Sequence, residues 1–363
     1  MPSEDDFEAR EAVLARVESW RRRAPRLTDD TITMAHGAGG RASQSLIEAV
    51  IRPAFSNPEL DRLEDGAVLE AGEGRRLAVT TDAFVVTPRR FNGGSIGDLA
   101  VNGTVNDLAA MGAEPAALTV SLVLEEGLAV EELRAIVDDV ARAAASAGVD
   151  IVTGDTKVVE RGAADGCYIT TTGIGFVRTG AQLDAAAVRP TDALVLSGTI
   201  GDHGVAVMVA RGDLALAADV ASDTAPLHQL VAALLDAVPA TRWLRDPTRG
   251  GVASICNELA AASGLGVELD ERALPVRGAV AGACELLGLD PLYIANEGKM
   301  LAVVPAADAE TAVEAMRSCE AGADACVVGN VTDEHTGLVL VRTGFGGTRI
   351  VDMLVGDPLP RIC

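Results

Sequence analysis

Apolar positions along this chain alternate between a helical and an extended period, and the switches mark its elements. Residues 7–23, FEAREAVLARVESWRRR, carry apolar side chains at helical spacing among charges and predict an N-terminal helix, which RAPRLTDD then breaks. From about residue 32 short β-like runs alternate with longer Ala-rich helical runs. Strands are expected at 76–86, 116–125, 149–155 and 166–177, and helices at 96–112 and 130–148, each helix closed by a glycine (Gly112, Gly148). The pattern restarts after AVRPTDA at 187–193. Residues 192–211 read as strand, glycine turn and helix; 228–238 and 250–264 as helices; 266–270 as a strand; 299–318 as strand then helix. Final strands are expected at 325–332 and 338–342.

This is a two-domain α/β (α+β) pattern. It divides into a helical extension at 1–31, a first domain at 32–186, a second at 187–343, and a tail at 344–363 whose glycines and prolines suit a mobile arm. A length of 363 residues fits about two domains.

Composition narrows the function. The net charge of -23 and an aromatic content of 3% argue against nucleic acid, which needs surface Lys/Arg and stacking rings. Residues 1–30 are charged throughout and lack the apolar core of a secretory signal, and every apolar run is broken before it could span a bilayer. Six scattered cysteines without a CxxC read as reduced thiols rather than a disulfide framework, and four histidines offer little to a zinc site. A cytoplasmic protein with no membrane or nucleic-acid partner is expected.

The P-loop, Rossmann, zincin and nucleophile-elbow motifs are all absent. Four aspartates instead stand beside glycine or at strand ends: Asp65 in LEDGAV, Asp82 in TTDAF, Asp107 in VNDLAAMG and Asp155 in VTGDTK. Singly each reads as a cap or turn residue; together they suit Mg²⁺ with a substrate phosphate. The glycine loops AHGAGGR (35–41) and FNGGSIG (91–97) could let backbone N–H groups approach phosphate oxygens. Lys157, placed just after an apparently buried strand, reads equally as a phosphoryl-holding cation or a solvated loop lysine. Arg245, Asp246 and Arg249 in RDPTRGG precede a helix, suited to anion capture or to a plain capped start. Glu297 and Lys299 share the turn ANEGKM. The chain ends on a thiol, Cys363. No prenylation signal follows it, Arg361 beside it would lower a thiol pKa, and a tethered thiol can carry a covalent substrate to a site.

The segments AHGAGG, TTDAFVVTP, FNGGSIGDLAVNGTVNDLAAMGA, IVTGDTKVVERG, LVLSGTIGDHG, LRDPTRGG, ANEGK and the terminal PRIC, in this order over about 32–363, resemble the carbamoyl dehydratases of hydrogenase maturation. These lie within the aminoimidazole-ribonucleotide synthetase-like ATP-dependent enzymes. PRIC is the most specific element. The resemblance implies a homodimer whose first domains form a β-barrel, a second domain built as an α/β sandwich, and ATP with Mg²⁺ bound in a cleft. A carbamoyltransferase partner would load Cys363, the enzyme would dehydrate the S-carbamoyl group to S-cyanate, and an iron-scaffold complex would take the cyanide for [NiFe] hydrogenase. By the same resemblance Cys363, Lys157 and Glu297 are catalytic. Asp82, Asp107 and Asp155 hold Mg²⁺ and ATP, with Asp65, His36, Gly37, Gly39 and Gly40 beside the nucleotide. Ala38 stands where the family more often has Ser. The alternatives are a selenophosphate-synthetase-like or thiamine-phosphate-kinase-like enzyme, or a non-catalytic ATP-binding adaptor. No reactive Cys before Cys167 favours the selenium chemistry, and an adaptor would not need the whole set of Asp82, Asp107, Asp155, Lys157 and Glu297.

Overall fold

The computed structural model describes residues 27–55, 57–212, 219–354 and 362–363. The helix expected at 7–23 lies outside these residues, as do residues 355–361 of the tail.

Two sheets organise the chain. The first has the order β1-β2-β7-β5-β6, with β1 Ala67–Glu70, β2 Arg76–Phe84, β5 Ala113–Glu125, β6 Asp150–Val159 and β7 Cys167–Val177. A short hairpin, β3 Arg90–Phe91 and β4 Gly94–Ser95, stands apart from it. The second sheet has the order β14-β13-β10-β12-β8-β11-β9, built from β8 Ala193–Leu196, β9 Trp243–Arg245, β10 Gly266–Asp270, β11 Leu301–Val304, β12 Cys326–Thr332, β13 Val339–Arg342 and β14 Thr348–Val351. The helices in chain order are α1 Arg41–Leu46, α2 Arg52–Phe55, α3 Ile96–Ala110, α4 Val130–Ala147, α5 Asp202–Arg211, α6 His228–Ala237, α7 Gly251–Ser263, α8 Gly278–Leu287 and α9 Ala309–Arg317.

Helix α3 explains why the first domain holds together. It is buried along almost its whole length, its polar Asp98, Asn102, Thr104 and Asn106 included, and packs across β2, β7 and β5. Ser95 starts it by accepting the Asp98 N–H (3.3 Å). Helix α4 is amphipathic and covers α3 with Ile136, Val140, Ala143, Ala144 and Ala147. It ends at Gly148, whose φ of 65° is the left-handed cap that glycine adopts without a Cβ penalty. Helix α4 also makes the crossover joining β5 to β6, the one parallel pair of this sheet.

Two expectations are corrected here. The strand placed at 149–155 runs on to Val159 and is not buried: from Asp150 to Val158 every residue of β6 is exposed. Its apolar and β-branched residues reflect extended pairing with β5 on one side only, and composition cannot tell such an edge strand from a central one. The tail read as a mobile arm from 344 also begins as structure. β14 pairs antiparallel with β13 from Thr348 opposite Arg342 to Val351 opposite Val339, and buries Val351. Among the described residues of one chain the first sheet is open, with β1 and β6 as its edges, and no barrel closes.

Candidate active site at the domain interface

Side chains from both domains meet in a cavity of about 250 Å³ lined by Asp65, Asp82, Asp107, Arg245, Asp246, Arg249, Glu258, Glu297 and Cys363. Each arrives by local logic. Asp65 precedes β1, Asp82 lies in β2, and Asp107 stands in the last turn of α3, which β2 and β7 hold in place. Arg245 ends β9, and the turn Asp246–Gly250 then reverses the chain into α7. Gly39 lies against this turn: a Cβ there would stand 2.9 Å from the Arg249 carbonyl oxygen, on a φ of +70°. Close backbone approach is what the first glycine loop provides.

The carboxylates crowd together. Donor oxygens of Asp65, Asp107 and Asp246 lie within 4.8 Å of one another. Burial pushes the Asp107 and Asp246 carboxyls well above the usual range, and their acidic neighbours raise them further: Asp246, Asp65 and Asp82 for Asp107, and Asp65 and Asp82 for Asp246. Arg245 is the counterweight, with Nη1 2.5 Å from Asp65 Oδ1, Nη2 3.3 Å from Glu64 Oε2 and Nη1 3.8 Å from Glu258 Oε2. Asp65 Oδ2 is buried with no hydrogen-bond partner. Three converging hard-oxygen donors, one of them orphaned, make a set that fits Mg²⁺.

On another side of the cavity is the chain terminus. Cys363 Sγ lies 3.0 Å from Arg249 Nε, and a terminal backbone oxygen of Cys363 accepts the Val85 N–H (3.2 Å). Ile362 is buried in the first domain's core beside Phe84 and Val207. Arg249 also donates to the Gly37 carbonyl (2.5 Å). Burial pushes the thiol up to about 12 despite Arg249, with Glu297 and Asp82 adding to the rise. Desolvation outweighs the Arg249 guanidinium; the expectation that Arg361 acidifies the thiol falls on a residue outside the described ones.

Glu297 faces the same space. It is 3% exposed, its Oε1 has no hydrogen-bond partner, and burial followed by Asp246, Asp223 and Asp82 raises its carboxyl well above the usual range. Its backbone is fixed: the N–H donates to Asp223 Oδ1 (3.1 Å) and the carbonyl accepts from Asn106 Nδ2 (3.3 Å). Asp223 is itself locked by Lys299 (3.1 Å). Burial alone would raise Asp223, but the Lys299 ammonium and the Glu297 N–H hold it below the usual range. Lys299 thus serves the frame behind Glu297, not the cavity.

Of the site residues expected from sequence, Asp65, Asp82, Asp107, Glu297, Gly39 and Cys363 come together here, and Gly37 joins through Arg249. Gly40 packs against the Leu354 carbonyl of the tail's approach. His36 caps the turn Met34–Gly37, with Nδ1 accepting the Thr33 N–H (3.0 Å), and does not line the cavity. Asp155 and Lys157 do not reach it either; both are exposed on β6. The loop FNGGSIG forms β3 and β4, packs on residues 221–224 and borders a different cavity of about 760 Å³ with Arg90, Asn102 and His228. Sequence reasoning did not assign Asp246 to the metal set. Its signal was an aspartate between two arginines ahead of a glycine pair. Glu258, within α7, carried none.

Residues 63–177 match the AIR synthase related protein, N-terminal domain, and residues 189–341 the C-terminal domain of the same family. The chain is 53% identical over 340 residues to the carbamoyl dehydratase HypE of Rhodobacter capsulatus, covering 93% of this chain and 99% of that one. It is similar in structure to HypE in a HypE-HypF complex, at TM-score 0.81 and 47% identity, over 85% of this chain and 100% of that one. A HypE structure in complex with ATP has TM-score 0.77 and 43% identity, over 92% and 100%.

Proposed function

The chain belongs to the carbamoyl dehydratases of the AIR synthase related family, and from that membership we propose that it dehydrates an S-carbamoyl group on Cys363 to S-cyanate at the expense of ATP. The observation that carries the reading is the terminal thiol seated at the wall of a carboxylate cavity, beside a buried glutamate and an arginine.

The chemistry follows from the leaving group. An amide oxygen does not depart from carbon unaided. When bound, MgATP supplies the phosphoryl group that turns it into a phosphate leaving group, and loss of both N–H protons completes the nitrile. Asp65, Asp107 and Asp246, with Asp82 near, would hold the cation; this exchanges Asp155 for Asp246 and Asp65 in the metal set. Arg249 Nε, already on Sγ, orients the carboxamide and balances charge developing on its oxygen. Glu297 takes a proton from nitrogen. Burial and the neighbouring carboxylates raise its carboxyl above the usual range, which makes its ionised form a stronger base.

Lys157 and Asp155 enter through a second copy of the chain. β6 offers an open edge with Val152 and Val158 bare, and beyond β5 the same sheet exposes Ile174 and Phe176 of β7. A homodimer formed there, its two sheets wrapping towards a barrel, would cover the apolar strand and present Lys157 and Asp155 to the partner's cavity. A relative crystallised as a HypE-HypF complex supports a carbamoyltransferase partner loading Cys363, and an iron-scaffold complex would accept the cyanide. Free thiols at all six cysteines suit the cytoplasm. Among the described residues no helix is long and apolar enough to cross a membrane.

The test is mass spectrometry of the C-terminal peptide from partner-carbamoylated protein, before and after MgATP. Loss of one water located on Cys363, absent without ATP and absent in Cys363→Ala, is expected. A carbamoylated Cys363 that never loses water would reduce the tail to a carrier and move the chemistry elsewhere.

A further inference from the structure

We propose that His203 is the positioning residue that seats the tail, holding Cys363 at the cavity through the backbone of Ile362. This rests on the reading of Cys363 as the substrate carrier, but the seat itself is read from contacts independent of that chemistry.

His203 opens α5, in the second domain, and is fully buried. Its Nε2 lies 2.7 Å from the Ile362 carbonyl oxygen and its Nδ1 2.8 Å from Ser222 Oγ. A carbonyl oxygen can only accept, so Nε2 carries the hydrogen. Burial lowers the ring's pKa, against the opposing pull of Asp223 and the Ile362 carbonyl, so the imidazole is neutral and Nδ1 is an acceptor. The Ser222 hydroxyl must then donate to Nδ1, and its oxygen is left to accept the Thr224 N–H at 3.2 Å. Phe91 stands edge-on to the imidazole, centroids 5.4 Å apart, and fixes the ring plane. One tautomer in one orientation faces the tail.

The geometry divides the work. Arg249 and Val85 hold the reacting residue itself, whereas His203 holds the residue before it and does not line the carboxylate cavity. Val85 belongs to the first domain and His203 to the second, so the terminus is pinned from both sides. Removing the His203 donor leaves the Ile362 carbonyl buried without its bond, which favours the unseated tail.

The experiment reads seating directly, by iodoacetamide alkylation of Cys363 in the full-length protein, quantified on the C-terminal peptide. Cys256, buried in the second domain's core, is monitored as the report on folding. His203→Met, which fills the space without a donor, should speed Cys363 alkylation about tenfold with Cys256 unchanged, because labelling follows the unseated population. His203→Gln, which can place an N–H near the Nε2 position, should stay close to wild type. Ser222→Ala frees the ring to take the other tautomer, which meets the carbonyl with a lone pair, and should fall between the two. Water loss from carbamoylated Cys363 should slow in the same order with the KM for ATP unchanged. Equal alkylation of wild type and His203→Met overturns the proposal, and so does equal acceleration in the Met and Gln variants, which would make the effect one of packing. If His203→Met also opens Cys256, the Ser222→Ala and His203→Gln pair decides on the same criteria. Seating that obeys His203 in a protein that never dehydrates its carbamoyl group would sink the proposed activity and leave the seat standing.

Discussion

The residues expected to do the chemistry divide between two places that differ in almost every physical respect. In the interdomain cavity Asp65, Asp82, Asp107, Asp246 and Glu297 are withdrawn from water, crowd one another and are opposed by Arg245 and Arg249. On β6, Asp155 and Lys157 stand in open solvent on an unpaired edge flanked by bare valines. Crowded, orphaned carboxylates are costly unless something charged completes them, and an exposed apolar edge is a liability unless something covers it. On the proposed homodimer the two places become halves of one site, each supplying what the other lacks.

The sharpest way to break this contrast is at Glu297. Glu297→Gln should retain ATP binding, measured by calorimetry, yet lose at least about a hundredfold in nitrile formation. Wild-type turnover would remove it as the base. The second test acts on the edge. Val152→Lys combined with Val158→Lys should convert a dimer to a monomer by light scattering and depress turnover to the level of Lys157→Ala. A dimer that survives unchanged would place the contact elsewhere. The third joins the halves. Separately inactive Lys157→Ala and Glu297→Gln chains, refolded together, should recover about a quarter of wild-type turnover, since half of the dimers are mixed and each has one complete site. No recovery would put both residues in one chain's site.

The smallest effect is on stability. Asp107 and Asp246 have raised carboxyl pKa values in the folded protein, so between about pH 4 and those values the folded form binds more protons than the unfolded one. Their contribution is present at low pH and is lost as pH rises through the folded values. Metal-free protein should thus lose Tm as pH rises above about 4, and Mg²⁺ should restore it at the upper end. Asp107→Asn should gain about 2–4 °C without metal and lose the Mg²⁺ response, read by calorimetry. A metal-free Tm that rises with pH would contradict the crowding.

Much of this was legible beforehand, for identifiable reasons. The helices at 96–110 and 130–147 declare themselves by periodicity and terminal glycines, and Asp65, Asp82 and Asp107 stand out because each interrupts an apolar run beside a turn or a strand. The extent of β6 and the existence of β14 were not legible. Edge pairing depends on a neighbour far away in sequence, and glycine-rich tails look alike whether or not a partner strand waits for them.

The amino-acid sequence by itself determined the family, the two-domain alternation of strand and helix, the strong net negative charge, and the thiol at Cys363. These are local patterns or motifs, and they survive without coordinates. Only the tertiary structure decided that Asp246 rather than Asp155 completes the carboxylate cluster, that Arg249 and His203 receive the terminus, and that burial pushes the thiol up. Each of these depends on which side chains separated by many residues share one volume of low dielectric, and there proximity and desolvation set both the partners and the charge.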